Sequence, residues 1–179
     1  MQRAMFLEFL SDPTTHPLDR QFMLGPSLLV APVFVPEREP SEYYLPAGRW
    51  TAFFHPQRTR VGPAWVREVV PIDEIPVWVR QGSVLCLGPE GVGRPDYDFA
   101  GAGLEVRVYE LEEGQVVEAA VPRGKGKEGA GVVQAKLEGG ELTVNVVSGT
   151  VALASVSYFA GGQVKTAEAK GETSVSLKI

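Results

Sequence analysis

The side chains that could take part in catalysis or metal binding are few and lie far apart in the chain. There are two histidines, His16 in a turn and His55 in a loop beside Pro56. Zinc ligands usually come as Cys or His pairs a few residues apart, and neither histidine has such a neighbour. A Ser-His-Asp triad assembles from distant residues, but the G-x-S-x-G elbow that often accompanies one is absent. We therefore expect both histidines to be solvated side chains.

Two carboxylate pairs are candidates for general acid–base chemistry, Asp73–Glu74 and Asp96–Asp98. A retaining glycosidase needs two carboxyl groups about 5–5.5 Å apart across a sugar-sized cleft. Adjacent residues of a strand point to opposite faces, so Asp73 and Glu74 are badly placed for this. Asp96 and Asp98 are able to share a face, but they lie where one domain is expected to end. Surface and turn roles are therefore expected for both pairs.

Two other features have chemical potential. The single cysteine, Cys86, lies in the apolar run Ser83–Leu87, which predicts a buried and inert thiol. The basic stretch Arg123–Lys127 loosely resembles a phosphate-binding loop, but it lacks the P-loop order and no helix follows it. A solvated hairpin turn is the better interpretation. We therefore predict no catalytic, metal-binding or cofactor-binding residue in this sequence.

Aromatic residues concentrate in one part of the chain, at Tyr43, Tyr44, Trp50, Phe53, Phe54, Trp65 and Trp78. Exposed aromatic rings can stack on the faces of sugars. In alternating strands most such rings belong to a core, because each buries a large apolar area. The pattern therefore favours a packed core, and a sugar-binding platform is the alternative.

Composition restricts the class of protein that can hold these residues. The chain has 179 residues, of which 44% are hydrophobic, so it can bury a core. The 20 glycines and 14 prolines favour many turns between short strands over long helices. A net charge of −5 gives no electrostatic footprint for nucleic acid or an anionic membrane. No run approaches the roughly 18 apolar residues of a membrane helix, and the N-terminus lacks signal-peptide features, which favours the cytoplasm.

The elements expected from these patterns are mainly β. Residues 2–9 look like a buried strand with no partner nearby, and residues 17–24 like two helical turns with Gly25 as the C-cap. Pro46–Gly48 is predicted to connect a β-hairpin. From residue 96 onward, strands and Gly-rich turns alternate at the spacing of a β-sandwich. The predicted strands are 104–109, 115–121, 131–137, 141–147, 151–158, 163–168 and 173–178.

Seven segments of the sequence together carry a resemblance to a known family. They are Arg3–Phe9, Asp12–Pro13, Leu18–Gly25, Ser27–Val33, Tyr44–Thr51, Ile75–Leu85 and Arg94–Tyr97. These segments resemble glycoside hydrolase family 31, in particular its α-xylosidase branch. The similarity is strong over residues 3–88 and weak after about residue 100. It departs at Leu10–Ser11, where Pro-Asp would be expected, and at Pro26, where Asp is usual.

The resemblance implies a C-terminal portion of a retaining α-glycosidase. Such enzymes carry a (β/α)8 barrel followed by two β-sandwich domains. By this resemblance, residues 1–26 are the remnant of the barrel, its last strand and a helical turn, 27–90 are the proximal β-domain and 96–179 the distal β-sandwich. The catalytic aspartates of the family belong to the barrel, and no residue here matches their motifs. We therefore expect an inactive chain, whose parent enzyme hydrolyses α-xylosides without a cofactor.

Three interpretations stay open for the chain itself. It is a truncated or separately cut C-terminal piece, a stand-alone module that binds carbohydrate or protein, or a subunit that completes a barrel carried on another chain. The apolar face of Met5, Leu7 and Phe9 is expected to be uncovered, which predicts fraying or self-association into homo-oligomers. Specificity for α-xyloside over α-glucoside does not follow from this sequence.

Overall fold

The computed structural model describes residues 1–88, 103–122 and 131–179. Two compact units are present, Met1–Gln81 and Gly82–Ile179. The first contains β1 (Gln2–Ala4), α1 (Met5–Glu8), a 3₁₀ turn (Pro13–Thr15), β2 (Phe22–Leu24), β3 (Leu28–Val30), β4 (Pro40–Ala52), β5 (Thr59–Val69) and β6 (Val77–Arg80). Strands dominate the described residues, so the mainly-β prediction is confirmed.

The first unit is built on one six-stranded antiparallel sheet with the order β1-β2-β3-β6-β4-β5. Residues 2–9 are not one strand, because the strand ends at Ala4 and Met5–Glu8 turns into a short helix. The strand also does not lack a partner, since Gln2 to Ala4 pair with Leu24 to Phe22. The expected boundary at residue 26 therefore does not divide the structure, and β1 and β2 are strands of this sheet.

The helix predicted over residues 17–24 is wrong. Phe22–Leu24 forms β2, which pairs with β1 on one side and β3 on the other. Two helical turns are marginal in water. The three residues of β2 instead form six cross-strand pairs, and the adjacent Gln21 adds a tertiary contact, which together outweigh the helix. Gly25 is accordingly not a helix C-cap. It has φ +65° in the turn between β2 and β3, where glycine meets no steric cost.

The hairpin predicted at Pro46–Gly48 is also wrong, because β4 runs through these residues as one strand. The pairing of β4 with β5 shifts register between Leu45 and Gly48, which marks a β-bulge. The Trp50 indole N–H donates to the Pro46 carbonyl at 2.8 Å and secures the bulge. The true partner of β4 is β5, reached through the loop of residues 53–58.

The core of the first unit is formed by side chains from its sheet and from α1. Trp50 and Trp78 are almost fully buried there. Met5 is completely buried and Phe9 packs on the same cluster, with its ring 6.3 Å from that of Trp50. The expectation of an uncovered face at Met5 and Phe9 is thus wrong, and only Leu7 of the three stays exposed.

The second unit is a β-sandwich of two four-stranded sheets, ordered β14-β11-β10-β9 and β13-β12-β8-β7. Every strand predicted between residues 104 and 178 is present. The pairs are antiparallel except for β8 and β12, which run parallel. Inward side chains such as Val106, Val133 and Leu153 are fully buried between the sheets. The strands are β7 (Ser83–Leu87), β8 (Leu104–Tyr109), β9 (Val116–Val121), β10 (Gly131–Glu138), β11 (Glu141–Ser148), β12 (Leu153–Ala160), β13 (Gln163–Glu168) and β14 (Ser174–Lys178).

The resemblance implies that β7 lies in the proximal β-domain of residues 27–90, whereas in the structure it belongs to the second unit. Ser83 to Leu87 pair with Tyr109 to Glu105 of β8, and the Gly82 N–H donates to the Tyr109 carbonyl at 2.7 Å. The division therefore falls between Gln81 and Gly82 instead of near residue 90. Across the described residues, no helix has the length and apolar character needed to cross a membrane.

Candidate functional site

The most extensive polar network of the first unit centres on Tyr43 of β4. Its hydroxyl donates to Glu68 Oε1 at 2.7 Å and accepts from the Trp78 indole N–H at 3.0 Å. Neighbouring strands β5 and β6 supply these two partners, because they flank β4 in the sheet. Burial, followed by the hydrogen bond to Glu68, raises the pKa of Tyr43 well above its ordinary value. Tyr43 is therefore a neutral donor at physiological pH.

The other oxygen of Glu68 is held by Arg58. The Arg58 guanidinium forms an ion pair with Glu68 Oε2 and lies 5.8 Å from the centroid of the Trp78 ring. Both carboxylate oxygens of Glu68 thus accept hydrogen bonds from the protein itself. A nucleophile or general base needs a free oxygen directed at the substrate. Glu68 is arranged to hold three strands together instead.

A small cleft of about 30 Å³ opens beside this network, and His55 and Glu74 lie at its edge. His55 Nε2 is 3.1 Å from Glu74 Oε2, and the two side chains are 39% and 37% exposed. His55 is thus largely solvated, as expected, but it also has a carboxylate partner that the sequence analysis did not predict. No local pattern could have shown this contact, because the residues are 19 positions apart. His16 only meets the Leu10 carbonyl, at 3.3 Å.

The remaining acid–base candidates do not form a site among the described residues. Asp73 is exposed in the loop that carries Glu74. Of the predicted pair Asp73–Glu74, Glu74 is the residue that lies at the edge of the cleft. Asp96, Asp98 and the stretch 123–127 lie outside the described residues. Within residues 1–88, 103–122 and 131–179, no group of three or more His, Cys, Asp or Glu side chains could hold a metal ion.

Cys86 is a half-buried thiol on β7. Burial raises its pKa to about 11. Because the thiolate is the nucleophile, a thiol with this pKa is almost unreactive at neutral pH. These properties match the inert thiol predicted from the sequence.

A second charged cluster holds the N-terminal segment onto the sheet. Glu8 of α1 forms ion pairs with Arg3 at 2.8 Å and with Arg80 at 3.1 Å. The Arg80 guanidinium also lies 5.1 Å from the centroid of the Phe9 ring. Arg80 is 72 residues from Glu8, so no local sequence pattern predicts the cluster. Its position indicates structural anchoring of α1.

The second unit also has a cluster of charged and aromatic side chains, which lies on the outer face of β8. Arg107 binds Glu105 through two hydrogen bonds, at 2.8 and 3.1 Å, and lies 5.8 Å from the Phe159 ring centroid. Tyr109 stacks on the same ring at 4.6 Å, and burial raises its pKa to about 12. Alternation along the strand places the three β8 side chains on one face. The charges of Arg107 and Glu105 thus offset each other, and the rings of Tyr109 and Phe159 pack together.

Most of the aromatic residues singled out in the sequence belong to the core, as expected. Tyr43, Tyr44, Trp50 and Trp78 are all buried. Two rings differ, since Phe54 is 57% exposed and Trp65 is 53% exposed. Of the aromatic residues singled out in the sequence, these two therefore have the ring surface available for contact with a ligand.

Comparison with protein families accounts for both units of the chain. Residues 1–85 match the glycosyl hydrolase family 31 C-terminal domain. Residues 98–179 match the C-terminal domain of α-xylosidase YicI. The first match begins at residue 1, so it includes the segment whose strands β1 and β2 belong to the six-stranded sheet.

Individual enzymes of the family are similar over the same region. α-Xylosidase XylQ of Lactiplantibacillus pentosus is 31% identical over 152 residues, which cover 82% of this chain and 19% of that enzyme. An α-xylosidase of Emericella nidulans is 40% identical over 103 residues, covering 51% of this chain and 13% of that enzyme.

A solved structure shows the same fold. The family 31 α-xylosidase of Xanthomonas citri superimposes with a TM-score of 0.68 at 25% identity, covering 98% of this chain and 21% of that structure. The chain thus spans about a fifth of the length of the enzymes that it matches over most of its own length. With both units matched in order, the chain belongs to glycoside hydrolase family 31 and corresponds to the C-terminal region of its enzymes.

Proposed function

We propose that this chain is the structural C-terminal region of an α-xylosidase and holds none of the enzyme's catalytic carboxylates. The observation that carries the proposal is the ordered match of both units, the second of them to an α-xylosidase domain. Similarity to the XylQ α-xylosidase extends over 82% of the chain and supports the same specificity. The parent activity is hydrolysis of α-xylosidic bonds with retention of configuration.

The arrangement of the carboxylates supports a structural role. Glu68 is held by Tyr43 and Arg58, and Glu8 is held by two arginines. A retaining glycosidase requires one carboxylate free to attack and a second one free to exchange a proton. Glu8 and Glu68 are committed to the fold instead, and so is Glu110, which is 6% exposed and accepts a hydrogen bond from the Gly161 N–H. The proposed role of both units is to brace the catalytic part of the enzyme.

A chimera tests this role directly. In XylQ, the segment that aligns with this chain is replaced by the 179 residues, and a XylQ variant lacking the segment serves as the reference. The chimera is expected to hydrolyse p-nitrophenyl α-xyloside faster than p-nitrophenyl α-glucoside, while the shortened variant loses most activity. A soluble, folded chimera without α-xylosidase activity would contradict the proposed equivalence.

The purified chain alone provides the second arm. We expect no turnover of either substrate above the buffer rate, with intact XylQ as the positive control. Turnover by the chain that survives repeated purification would refute the proposed lack of catalytic carboxylates.

Completion of a separate polypeptide is a second candidate, and one observation favours it. Phe6, Leu7 and Leu10 are 40%, 55% and 71% exposed, which leaves an apolar surface near the N-terminus. Such a surface is typical of protein contacts. The shortened XylQ variant mixed with the chain is expected to regain activity in trans if this role holds. Activity that returns only in the covalent chimera would argue against it.

A further inference from the structure

A groove on the first unit has the features of a ligand site and is separate from the cleft at His55. It is an open groove of about 290 Å³ between the segment of residues 17–21, the residues that follow β3, and the start of β4. Trp65 of β5 forms one side of it. We call this surface the Trp65 groove.

The indole of Trp65 is held firmly although it is exposed. The centroid of its ring lies 5.3 Å from the centroid of the Tyr44 ring, and the angle between the two ring planes is 53°. Tyr44 is itself fixed, because its hydroxyl donates to Asp12 Oδ2 at 2.8 Å and its backbone binds the Gln21 side chain. The outer part of the indole therefore presents a pre-ordered apolar surface, which lowers the entropy lost when a ligand binds. Phe34, 63% exposed, adds a second ring to the lining.

Three charged side chains in the groove have unused hydrogen-bonding capacity. Asp19, Arg20 and Glu42 are exposed there, and none has a hydrogen-bond or ion-pair partner among the described residues. This differs from Glu8 and Glu68, whose oxygens are occupied by arginines and a tyrosine. The groove thus combines two carboxylates that can accept hydrogen bonds, one guanidinium that can donate them, and the exposed apolar surface of the Trp65 indole.

From this combination we infer that the Trp65 groove binds a saccharide. A pyranose ring offers an apolar face to the indole and hydroxyl groups that both donate to carboxylates and accept from a guanidinium. A neutral ligand suits a lining with charges of both signs, whereas a nucleic acid is disfavoured by the net charge of −5. The inference rests on the proposed function in one respect, because it takes the substrate class of an α-xylosidase as the source of the sugar.

The expected affinity is low, since the groove is open and holds one well-fixed ring. A dissociation constant on the order of 1 mM corresponds to only about 4 kcal/mol of binding free energy. Weak binding of this kind would keep a polymeric substrate near the enzyme without trapping its product.

The test is a titration of the ¹⁵N-labelled chain with xyloglucan oligosaccharides, followed by amide and indole chemical shifts. Saturable shifts are expected at the Trp65 indole N–H and at residues 17–21, with little change at the buried Trp50 and Trp78. Trp65→Ala is expected to weaken binding at least ten-fold, and Asp19→Asn several-fold. Phe54→Ala is the matched control, because it removes an equally exposed ring that lines the other cleft.

The outcomes separate this inference from the proposed function. Absence of saturable shifts up to about 20 mM sugar, roughly 20 times the expected dissociation constant, would overturn it. So would unchanged affinity in a Trp65→Ala variant whose spectrum is otherwise native. Neither result would alter the turnover of p-nitrophenyl α-xyloside by the XylQ chimera, which tests the proposed function alone. A chimera carrying Trp65→Ala is expected to keep that turnover and to lose activity selectively on polymeric xyloglucan.

Discussion

The Gln21 side chain forms with the Tyr44 backbone the two hydrogen bonds that a neighbouring strand would otherwise form. Its side-chain amide donates to the Tyr44 carbonyl at 2.7 Å and its side-chain oxygen accepts from the Tyr44 N–H at 2.8 Å. Both groups are buried, and 23 residues separate them in the chain. One glutamine side chain therefore satisfies both backbone groups of a residue in β4 and secures the entry to β2.

Replacement of Gln21 by leucine removes both bonds and keeps the volume similar. Each backbone group left unpaired in the interior costs about 1–3 kcal/mol, so we expect a loss of about 2 kcal/mol or more. Urea unfolding followed by tryptophan fluorescence measures this, because all three tryptophans lie in the first unit. Gln57→Leu, at an exposed position of the same unit, is the control and should change stability by less than about 0.5 kcal/mol. Equal effects of the two variants would contradict the assigned role of Gln21.

Tyr43 and Tyr44 provide a matched pair for the network at Glu68. Tyr43→Phe leaves the buried Trp78 N–H without its acceptor and should cost about 1–3 kcal/mol. Tyr44→Phe removes only a bond to the partly exposed Asp12, which water can replace, so a cost below about 1 kcal/mol is expected. The same urea experiment compares them, and a larger cost for Tyr44→Phe would be evidence against the network.

Gly62 lies under the bulge of β4, where no side chain fits. A Cβ atom at this position would be 2.0 Å from the Pro46 carbonyl oxygen and 2.6 Å from that of Leu45. Gly62→Ala should therefore destabilise the first unit by more than about 2 kcal/mol, because backbone atoms have to move. Gly25→Ala is the comparison, since its Cβ meets nothing within 4 Å and only the positive φ opposes it. That variant should cost about 1 kcal/mol, and a smaller cost at Gly62 would show that the bulge is pliable.

High pH should destabilise the protein through its buried phenols. The pKa values of Tyr43, Tyr44 and Tyr109 are all raised, chiefly by burial, and that of Tyr109 reaches about 12. Because the folded protein holds these protons more tightly than the unfolded chain, their contribution to stability is complete below about pH 10. It is lost as the pH rises from there through the folded pKa values.

Ultraviolet absorbance of tyrosinate measures this titration. Of the five tyrosines, at least three should ionise only well above the ordinary value or together with unfolding. Tyr109→Phe should shift the high-pH loss of stability of the second unit upward. Titration of all five tyrosines near pH 10 in the folded protein would refute the predicted burial.

Local patterns were sufficient for the second unit and insufficient for the first. Strands from Leu104 to Lys178 alternate apolar and polar side chains and are separated by Gly-rich turns, so periodicity alone located them. The helix predicted over residues 17–24 is wrong because local patterns cannot show long-range contacts. The strand that forms there depends on the bond from Gln21 to Tyr44 and on the pairing of β2 with β1. Pro46–Gly48 has the composition of a turn, but its conformation depends on the approach of Gly62.

The candidate sites show the same limit. The alternating pattern correctly indicated that most aromatic rings are in the core, but it could not separate Trp65 from Trp50. That difference depends on which face of β5 remains uncovered. The contacts of His55 with Glu74 and of Glu8 with Arg80 join residues that are far apart in the chain. Neither contact can therefore be predicted from a local sequence pattern.

The position of β6 has a consequence for how the first unit is made. β6 is the last strand of the unit to be synthesised, yet it lies between β3 and β4 in the sheet. Until Val77–Arg80 leave the ribosome, β1-β2-β3 and β4-β5 are two separate partial sheets, and β3 and β4 are open edges. The nascent unit is therefore most prone to pair with the wrong partner just before its final four-residue strand arrives, and that one strand covers the β3 and β4 edges together.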